Sequence, residues 1–319
     1  METYVITGGA GFIGSHLADA LLRAGHRVRI LDNFSTGHLD NLDARCEVIR
    51  GDVCDQPSVR RAMIGVSGCF HLAAIASVVR GNEDWIGTHQ VNLGGFISVM
   101  DASRQLGGIP VVYASSAAVY GKLDGPAAET GPIAPLTAYG ADKLGCELHA
   151  RIGTLVHNVP ALGFRFFNVY GPRQDPASPY SGVISIFAKA ISEGLEIEVH
   201  GSGQQTRDFV FVGDIVQFLQ AGMSSLRDKR DDPEWAGLVL NACTGRETSV
   251  LSMAQTLGEI LSCAPSIRFG PARRGDIERS VGVPHRATDL LGISAETGLH
   301  EGLVETLSSL HGAKSLQRA

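Results

Sequence analysis

The sequence has no long apolar run, no excess of basic residues and no paired cysteines, and each absence removes a class of function. No uninterrupted apolar stretch approaches the roughly 20 residues a bilayer-spanning helix needs, so no membrane partner is expected. Lys and Arg number 27 against 33 Asp and Glu, a formal net charge of −6. That balance argues against a nucleic-acid binder relying on a broad basic field, although it leaves room for a local basic pocket. Six cysteines (Cys46, Cys54, Cys69, Cys146, Cys243 and Cys263) are scattered without a CxxC pair or companion histidines at metal-ligand spacing. They read as reduced thiols of a cytoplasmic protein, with no metal centre. The opening METYVITGGAGFIG runs from a strand pattern straight into a glycine-rich turn, without the basic segment or cleavage site of a secretory leader. Internal repeats and low-complexity tracts are also missing. What is present, 319 residues of which 44% are hydrophobic, is enough to bury the core of one large or two small domains.

The first half alternates strand and helix patterns. Strands are expected at Tyr4–Thr7, Arg27–Leu31, Cys46–Arg50, Gly68–Leu72, Val111–Ala114 and Ala161–Phe166, and an amphipathic helix at Ile13–Ala24 closed by Gly25. Such alternation predicts an α/β fold of Rossmann type: a doubly wound parallel sheet with ligands at the carboxyl ends of its strands. A smaller mixed α/β domain follows. The expected division is 1–170 for the nucleotide unit and 171–319 for the substrate unit, with the strand at 238–242 returning to the first.

Between the first strand and helix, GGAGFIG places Gly8, Gly11 and Gly14 at a GxxGxxG spacing. Glycines there allow a tight turn, close backbone approach to a pyrophosphate at a helix N-terminus, and close packing of helix on strand. An ordinary strand-to-helix turn would also use them. Asp32, ending the second strand, adds a carboxylate suited to an adenine ribose and repellent to a 2′-phosphate, which favours NAD over NADP. Asp52 in RGDV either faces the adenine or caps a loop. The small residues of HLAA (His71 to Ala74) leave room for a cofactor, while His71 itself reads as structural. Asn92 in VNLGG bonds either a neighbouring strand or the cofactor.

Tyr139 and Lys143 stand at i and i+4 and share one helix face. A tyrosine ordinarily titrates at about pH 10. An ammonium and a nicotinamide cation beside it favour the phenolate, a competent base for an alcohol. Ser116 lies at the carboxyl edge of Val111–Ser116, placed to share that proton.

Taken in order, TGGAGFIGSHL, ASSAAVYG, YGADK, FRFFNVYGPR, TRDFVFVGD and ARRGD resemble the extended short-chain dehydrogenase/reductase family, and most of all its UDP-sugar 4-epimerases. The resemblance implies a resident NAD contacted by Gly8, Gly11, Phe12, Ile13, Gly14, Asp32, Asn33, Asp52, Val53, Leu72, Ala73, Ala74, Asn92, Ala114, Tyr139, Lys143 and Phe166. It implies catalysis by Tyr139, Lys143 and Ser116: proton removal from the sugar O4, oxidation at C4, turnover of the 4-keto sugar and return of the hydride to its other face. Relatives that dehydrate carry an Asp-Glu pair after the serine, and relatives that decarboxylate carry a glutamate. Here Ala117 and Ala118 stand there, and alanine cannot transfer a proton.

For the substrate, the resemblance assigns Asn168, Arg207 and Arg273 to the diphosphate, Asp276 to the uridine ribose, and Val183 and Phe187 to the uracil side, where helix packing would explain the last two equally well. Arginine suits phosphate through its bidentate, permanently charged fork. Ser280 occupies the position that reaches the sugar's C2 side. A small residue there admits an N-acetyl group, so UDP-GlcNAc/UDP-GalNAc is expected alongside UDP-Glc/UDP-Gal. Ala76 departs from relatives with a lysine near the phosphates. The Gly/Pro/Ala-rich loop Lys122–Pro135 either closes over the sugar or only connects. By analogy, helices at Thr88–Leu106 and Ala141–His157 would pair two copies into a four-helix bundle, giving a homodimer. Rival readings are a UDP-glucuronate 4-epimerase, a one-way 4-ketosugar reductase and a non-catalytic NAD sensor.

Overall fold

Fourteen strands form among the described residues of the computed structural model, which are 1–174, 182–230, 232–272 and 277–316. In chain order they are β1 (Thr3–Thr7), β2 (Arg27–Asp32), β3 (Glu47–Arg50), β4 (Gly68–His71), β5 (Val111–Ser116), β6 (Ala161–Phe166), β7 (Asn168–Tyr170), β8 (Ile197–His200), β9 (Thr206–Arg207), β10 (Phe209–Phe211), β11 (Leu238–Ala242), β12 (Thr248–Ser249), β13 (Ile267–Gly270) and β14 (Arg279–Ser280). Seven of them make one parallel sheet in the order β11-β6-β5-β4-β1-β2-β3. The order reverses between β1 and β4, and that reversal opens a crevice at the carboxyl ends of the strands. The expected Rossmann-type sheet is therefore present.

Both faces of the sheet's central strands are buried, which explains why β1, β4, β5 and β6 read as nearly continuous apolar runs rather than alternations. One face (Tyr4, Ile6, Ile30, Phe70, Phe164) packs on helices α1 (Phe12–Arg23) and α8 (Val212–Asp228). The other (Val5, Leu31, Cys69, Val111, Tyr113) packs on α2 (Gln56–Met63), α5 (Gly95–Gln105) and α6 (Ala138–His157). A third core, around Tyr170, Phe187, Ile191, Phe209, Met253 and Leu303, belongs to the smaller unit with α7 (Val183–Ser192) and α9 (Val250–Ile260).

Helix α1 lies one residue earlier than expected, and two further helices differ by more than one residue from the sequence expectation. Helix α6 starts three residues earlier, at Ala138, because Thr137 Oγ1 accepts a hydrogen bond from Gly140 N at 3.0 Å and caps it. The segment expected as one helix from Thr88 to Leu106 begins instead at Trp85, directly after α3 (Val78–Glu83): Asp84 caps α4 (Trp85–His89), and the chain continues through a π-turn over Gln90–Gly94 before α5. The wider turn carries Asn92, whose amide is committed elsewhere, as described below.

His71 ends β4 fully buried, its Nδ1 2.8 Å from Thr7 Oγ1 on the neighbouring strand. Burial, with a smaller contribution from the Lys143 charge, pushes its imidazole from 6.5 down to about 3. The folded protein therefore keeps His71 neutral where the unfolded chain would protonate it. Stability should be complete above about pH 6.5 and fall as the pH drops towards 3, by at most about 1.4 kcal/mol per pH unit from this group. Thermal melts between pH 7.5 and 5 should show that decline, and His71→Gln should flatten it. An unchanged slope in the variant would contradict the assignment.

Candidate functional site

The turn between β1 and α1 is built where side chains do not fit. Gly8 has φ +68°, and a β-carbon there would lie 2.7 Å from Ala73 N. One at Gly14 would collide with the Gly8 carbonyl and lie 2.7 Å from Gly9 Cα. At Gly11 only the Gly8 carbonyl is near, at 3.2 Å, so the backbone there stays open to approach. Gly11 is also the cap position of α1, and no side chain caps that helix. An uncapped N-terminus of a 12-residue helix, reached through bare backbone, is a cradle for a pyrophosphate. Phe12 and Ile13 begin the helix, half-buried.

Asp32, at the end of β2, is buried beside this turn. Its Oδ2 accepts from Ala10 N at 2.9 Å and its Oδ1 from Phe34 N at 2.8 Å. Each carboxylate oxygen keeps a second lone pair for a ribose hydroxyl. Asn33 Nδ2 donates to Asp52 Oδ2 at 2.7 Å, and Cys54 N donates to Asp52 Oδ1 at 2.8 Å. Burial opposes ionisation of Asp52, but these bonds outweigh it and hold the carboxyl below its usual range. Asp52 thus acts as a loop cap whatever else it touches. Val53 is buried against Gly95. Leu72, Ala73 and Ala74 follow β4, partly exposed, facing the glycine turn through the Gly8–Ala73 approach. Asn92 clamps this same segment: its Oδ1 accepts from Ile75 N at 2.8 Å and its Nδ2 donates to Ile75 O at 3.2 Å.

Tyr139 and Lys143 lie in the first turns of α6, with Lys143 Nζ 5.8 Å from the centre of the Tyr139 ring. Lys143 is buried and donates to the Ala114 carbonyl of β5 at 2.8 Å. One turn on, Glu147 Oε1 accepts from Ser115 Oγ at 2.5 Å. These two links fix α6 on β5, so Ser116 at the strand end and Tyr139 at the helix start hold one spacing. Ser116 Oγ accepts from Ala118 N at 3.1 Å, which leaves its hydroxyl proton free to donate. Ser116 lies beside Phe166 in the ladder of β5 and β6.

The residues read as substrate contacts divide. Arg207 and Ser280 are cross-strand neighbours in β9 and β14, and Asn168 N donates to the Asp208 carbonyl at 2.9 Å. Arg207 Nη1 donates to the Thr206 and Ile277 carbonyls, at 2.8 and 2.7 Å. Phe187 is packed in the core of the smaller unit, with Val183 half-buried at its edge. Arg273 and Asp276 lie outside the described residues. Ser280 shares a recess with Ala117, Tyr120, Leu123, Ala127 and Phe167. Loop 122–135 meets this recess through Ala127, whose N donates to Val281 O at 2.8 Å and whose O accepts from Val283 N at 2.9 Å.

Sequence reasoning missed Asp208, although it stands in the TRDF motif. Its carboxylate is buried and accepts from Thr244 N and Oγ1, Gly245 N and Gly282 N, joining the ends of β9, β11 and β14. Burial outweighs those bonds and raises its pKa above the ordinary aspartate value. Nothing in the spacing distinguishes such a joint from a surface aspartate.

Residues 4–233 match the NAD dependent epimerase/dehydratase family. The chain is 34% identical over 312 residues to the UDP-glucose 4-epimerase of Mycolicibacterium smegmatis, covering 95% of this chain and 96% of that protein. It is 31% identical over 317 residues to the UDP-N-acetyl-alpha-D-glucosaminuronate decarboxylase of Bacillus cytotoxicus, covering 95% and 96%. Its fold is similar to that of UDP-N-acetylglucosamine 4-epimerase from Methanobrevibacter ruminantium M1, solved with UDP-N-acetylmuramic acid, with a TM-score of 0.91, 29% identity and coverage of 98% and 99%. The glycine cradle and the Asp32 carboxylate fit the cofactor that the family name carries. The chain belongs to the NAD dependent epimerase/dehydratase family of enzymes.

Proposed function

We propose that the chain is an isomerase, a UDP-sugar 4-epimerase that interconverts UDP-GlcNAc and UDP-GalNAc, UDP-Glc and UDP-Gal, or both pairs, through a 4-keto sugar. The observation that carries this reading is the composition of the recess around Ser280: the described residues lining it are Ala117, Tyr120, Gly121, Leu123, Gly125, Ala127, Phe167, Arg279, Ser280 and Val281, and among them there is no aspartate or glutamate. Dehydration and decarboxylation of a 4-keto sugar each need a further acid or base near C5 or C6. Oxidation and re-reduction at C4 do not.

NAD, when bound, supplies the oxidising and reducing power at carbon. The protein's own part is proton transfer and orientation. Tyr139 takes the O4 proton, with Lys143 Nζ 5.8 Å from the centre of its ring. Ser116 donates its free hydroxyl proton to O4 or relays it to Tyr139. Gly8, Gly11 and Gly14 cradle the pyrophosphate and Asp32 receives the adenine ribose. Residues 1–170, with 238–242, hold the cofactor, and the rest of 171–319 holds the UDP-sugar through Arg207, Arg273 and Asp276, with Asn168 reaching it from the end of the first unit. Ser280 leaves space at C2 for an N-acetyl group.

A second reading, a UDP-glucuronate 4-epimerase, draws on Arg279 in the recess. Its guanidinium is already paired with Glu247, which favours a neutral sugar.

Proton NMR of the purified protein with UDP-GlcNAc, and separately UDP-Glc, without added cofactor should show the C4 epimer appearing. No conversion in either tube, with conversion of UDP-glucuronate, would favour the second reading. Ser280→Tyr should lower kcat/KM for UDP-GlcNAc by about 100-fold and spare UDP-Glc, since the added ring fills the C2 side. Equal losses on both sugars would contradict the specificity assignment.

The partner proposed is a second copy of this chain. Leu148, Ile152 and Leu155 form a stripe along α6 and are 57%, 48% and 60% exposed, with Ile97 of α5 also uncovered. Apolar side chains at this spacing suit helix-on-helix burial. Light scattering should give twice the chain mass of 33.7 kDa, and Ile152→Glu should halve it. A wild-type monomer would contradict the pairing.

A further inference from the structure

A row of buried polar side chains crosses the sheet behind the candidate catalytic strand. Ser115 of β5, Arg165 of β6 and Asn241 of β11 are successive cross-strand neighbours. Arg165 grips Glu147 of α6 with both arms, Nε to Oε1 at 2.9 Å and Nη2 to Oε2 at 2.7 Å. Its guanidinium also lies 4.7 Å from the centre of the Tyr120 ring. The Tyr120 hydroxyl donates to Asn241 Oδ1 at 2.6 Å. Asn241, fully buried, spends its remaining groups on the sugar-side strap: Nδ2 donates to Ala127 O at 2.8 Å and to Val283 O at 3.3 Å, and its backbone N donates to Glu129 Oε1 at 2.8 Å.

Glu147 is one turn beyond Lys143, and Val283 is three residues beyond Ser280. The row therefore joins the helix that carries the base to the wall that carries the small C2-side residue. A buried ion pair extended by an amide is costly in desolvation, and apolar packing would stabilise the sheet as well or better. Directional bonds give what apolar packing does not, a fixed spacing between elements.

We infer that Asn241, held by Tyr120, is a positioning residue that, through the Ala127 and Val283 carbonyls, sets the sugar-facing wall of Ala127, Ser280 and Val281 against the catalytic strand, and so governs how well the sugar, rather than the UDP or the cofactor, is bound. The inference rests on the epimerase reading. Asn241 touches no substrate itself. Losing its lock leaves the nucleotide contacts and the Tyr139–Lys143 pair in place while the wall shifts relative to them.

Tyr120→Phe removes one hydroxyl and keeps the ring under Arg165. Asn241→Asp keeps the acceptor for Tyr120 and replaces the donor to Ala127 and Val283 with a second oxygen. Each variant should purify with the wild-type content of NAD and bind UDP alone with unchanged affinity. KM for the UDP-sugar that wild type converts should rise about tenfold, the effect of one lost buried hydrogen bond, with kcat within about twofold. Wild-type KM in folded variants would overturn the inference, as would a matching loss of affinity for UDP alone. If wild type converts neither UDP-GlcNAc nor UDP-Glc, the epimerase reading falls and takes this inference with it. Conversion by wild type with unmoved variant KM sinks the inference alone.

Discussion

The turn after the first strand leaves no space for a β-carbon, and the rest of the candidate site is arranged around that constraint. With glycine at 8 and 14, α1 comes down onto the turn closely enough that a β-carbon at Gly14 would strike the Gly8 carbonyl. The helix N-terminus then lies in the crevice at the sheet's switch point, uncapped and reached through bare backbone. The surrounding residues defend that geometry. Asp32 ties the turn through Ala10, Thr7 and His71 hold β1 to β4, and Asn92 clamps the segment opposite. A neutral, fully buried His71 suits such a place, because a charge there would face Lys143 across a low-dielectric interior.

The geometry of the proposed catalytic residues depends on a second constraint, the attachment of α6 to β5. Lys143 bonds the Ala114 carbonyl and Glu147 bonds Ser115, so the helix is fixed at two levels one turn apart. Arg165 then grips Glu147 from β6. Burial would lower the arginine's pKa, but the bidentate carboxylate outweighs it and raises the value instead. The tyrosine against its guanidinium is pushed by burial up to about 12, so the Tyr120 hydroxyl stays a donor to Asn241 across the working pH range.

Local patterns were legible in the sequence because local physics sets them. The Gly8–Gly11–Gly14 spacing, Asp32 at a strand end and Tyr139–Lys143 at i and i+4 are each short-range, and the strand–helix alternation determines the sheet. The start of α6 was misplaced by three residues because Thr137 caps it from a Thr-Ala-Tyr context that carries no strong breaker. The π-turn at Gln90–Gly94 is illegible in the sequence because the Asn92 bonds to Ile75 that accompany it span 17 residues. Asn241 and Asp208 were harder still. Each takes its meaning from partners up to 121 and 74 residues away, and in sequence each is a polar residue in or beside a strand like many others. Family resemblance named the diphosphate arginines, but the described residues include Arg207 and not Arg273.

On the proposed 4-epimerase reading, the hydrogen on the sugar's C4 leaves and returns without meeting solvent, while only the O4 proton passes through Tyr139. Conversion of UDP-GlcNAc or UDP-Glc in deuterium oxide, followed by mass spectrometry and NMR of the recovered epimer, tests this most directly. The account predicts inversion at C4 with the carbon-bound hydrogen fully retained and no deuterium at C3, C4 or C5. Deuterium at C4, in step with turnover, would show exchange with solvent and would contradict it.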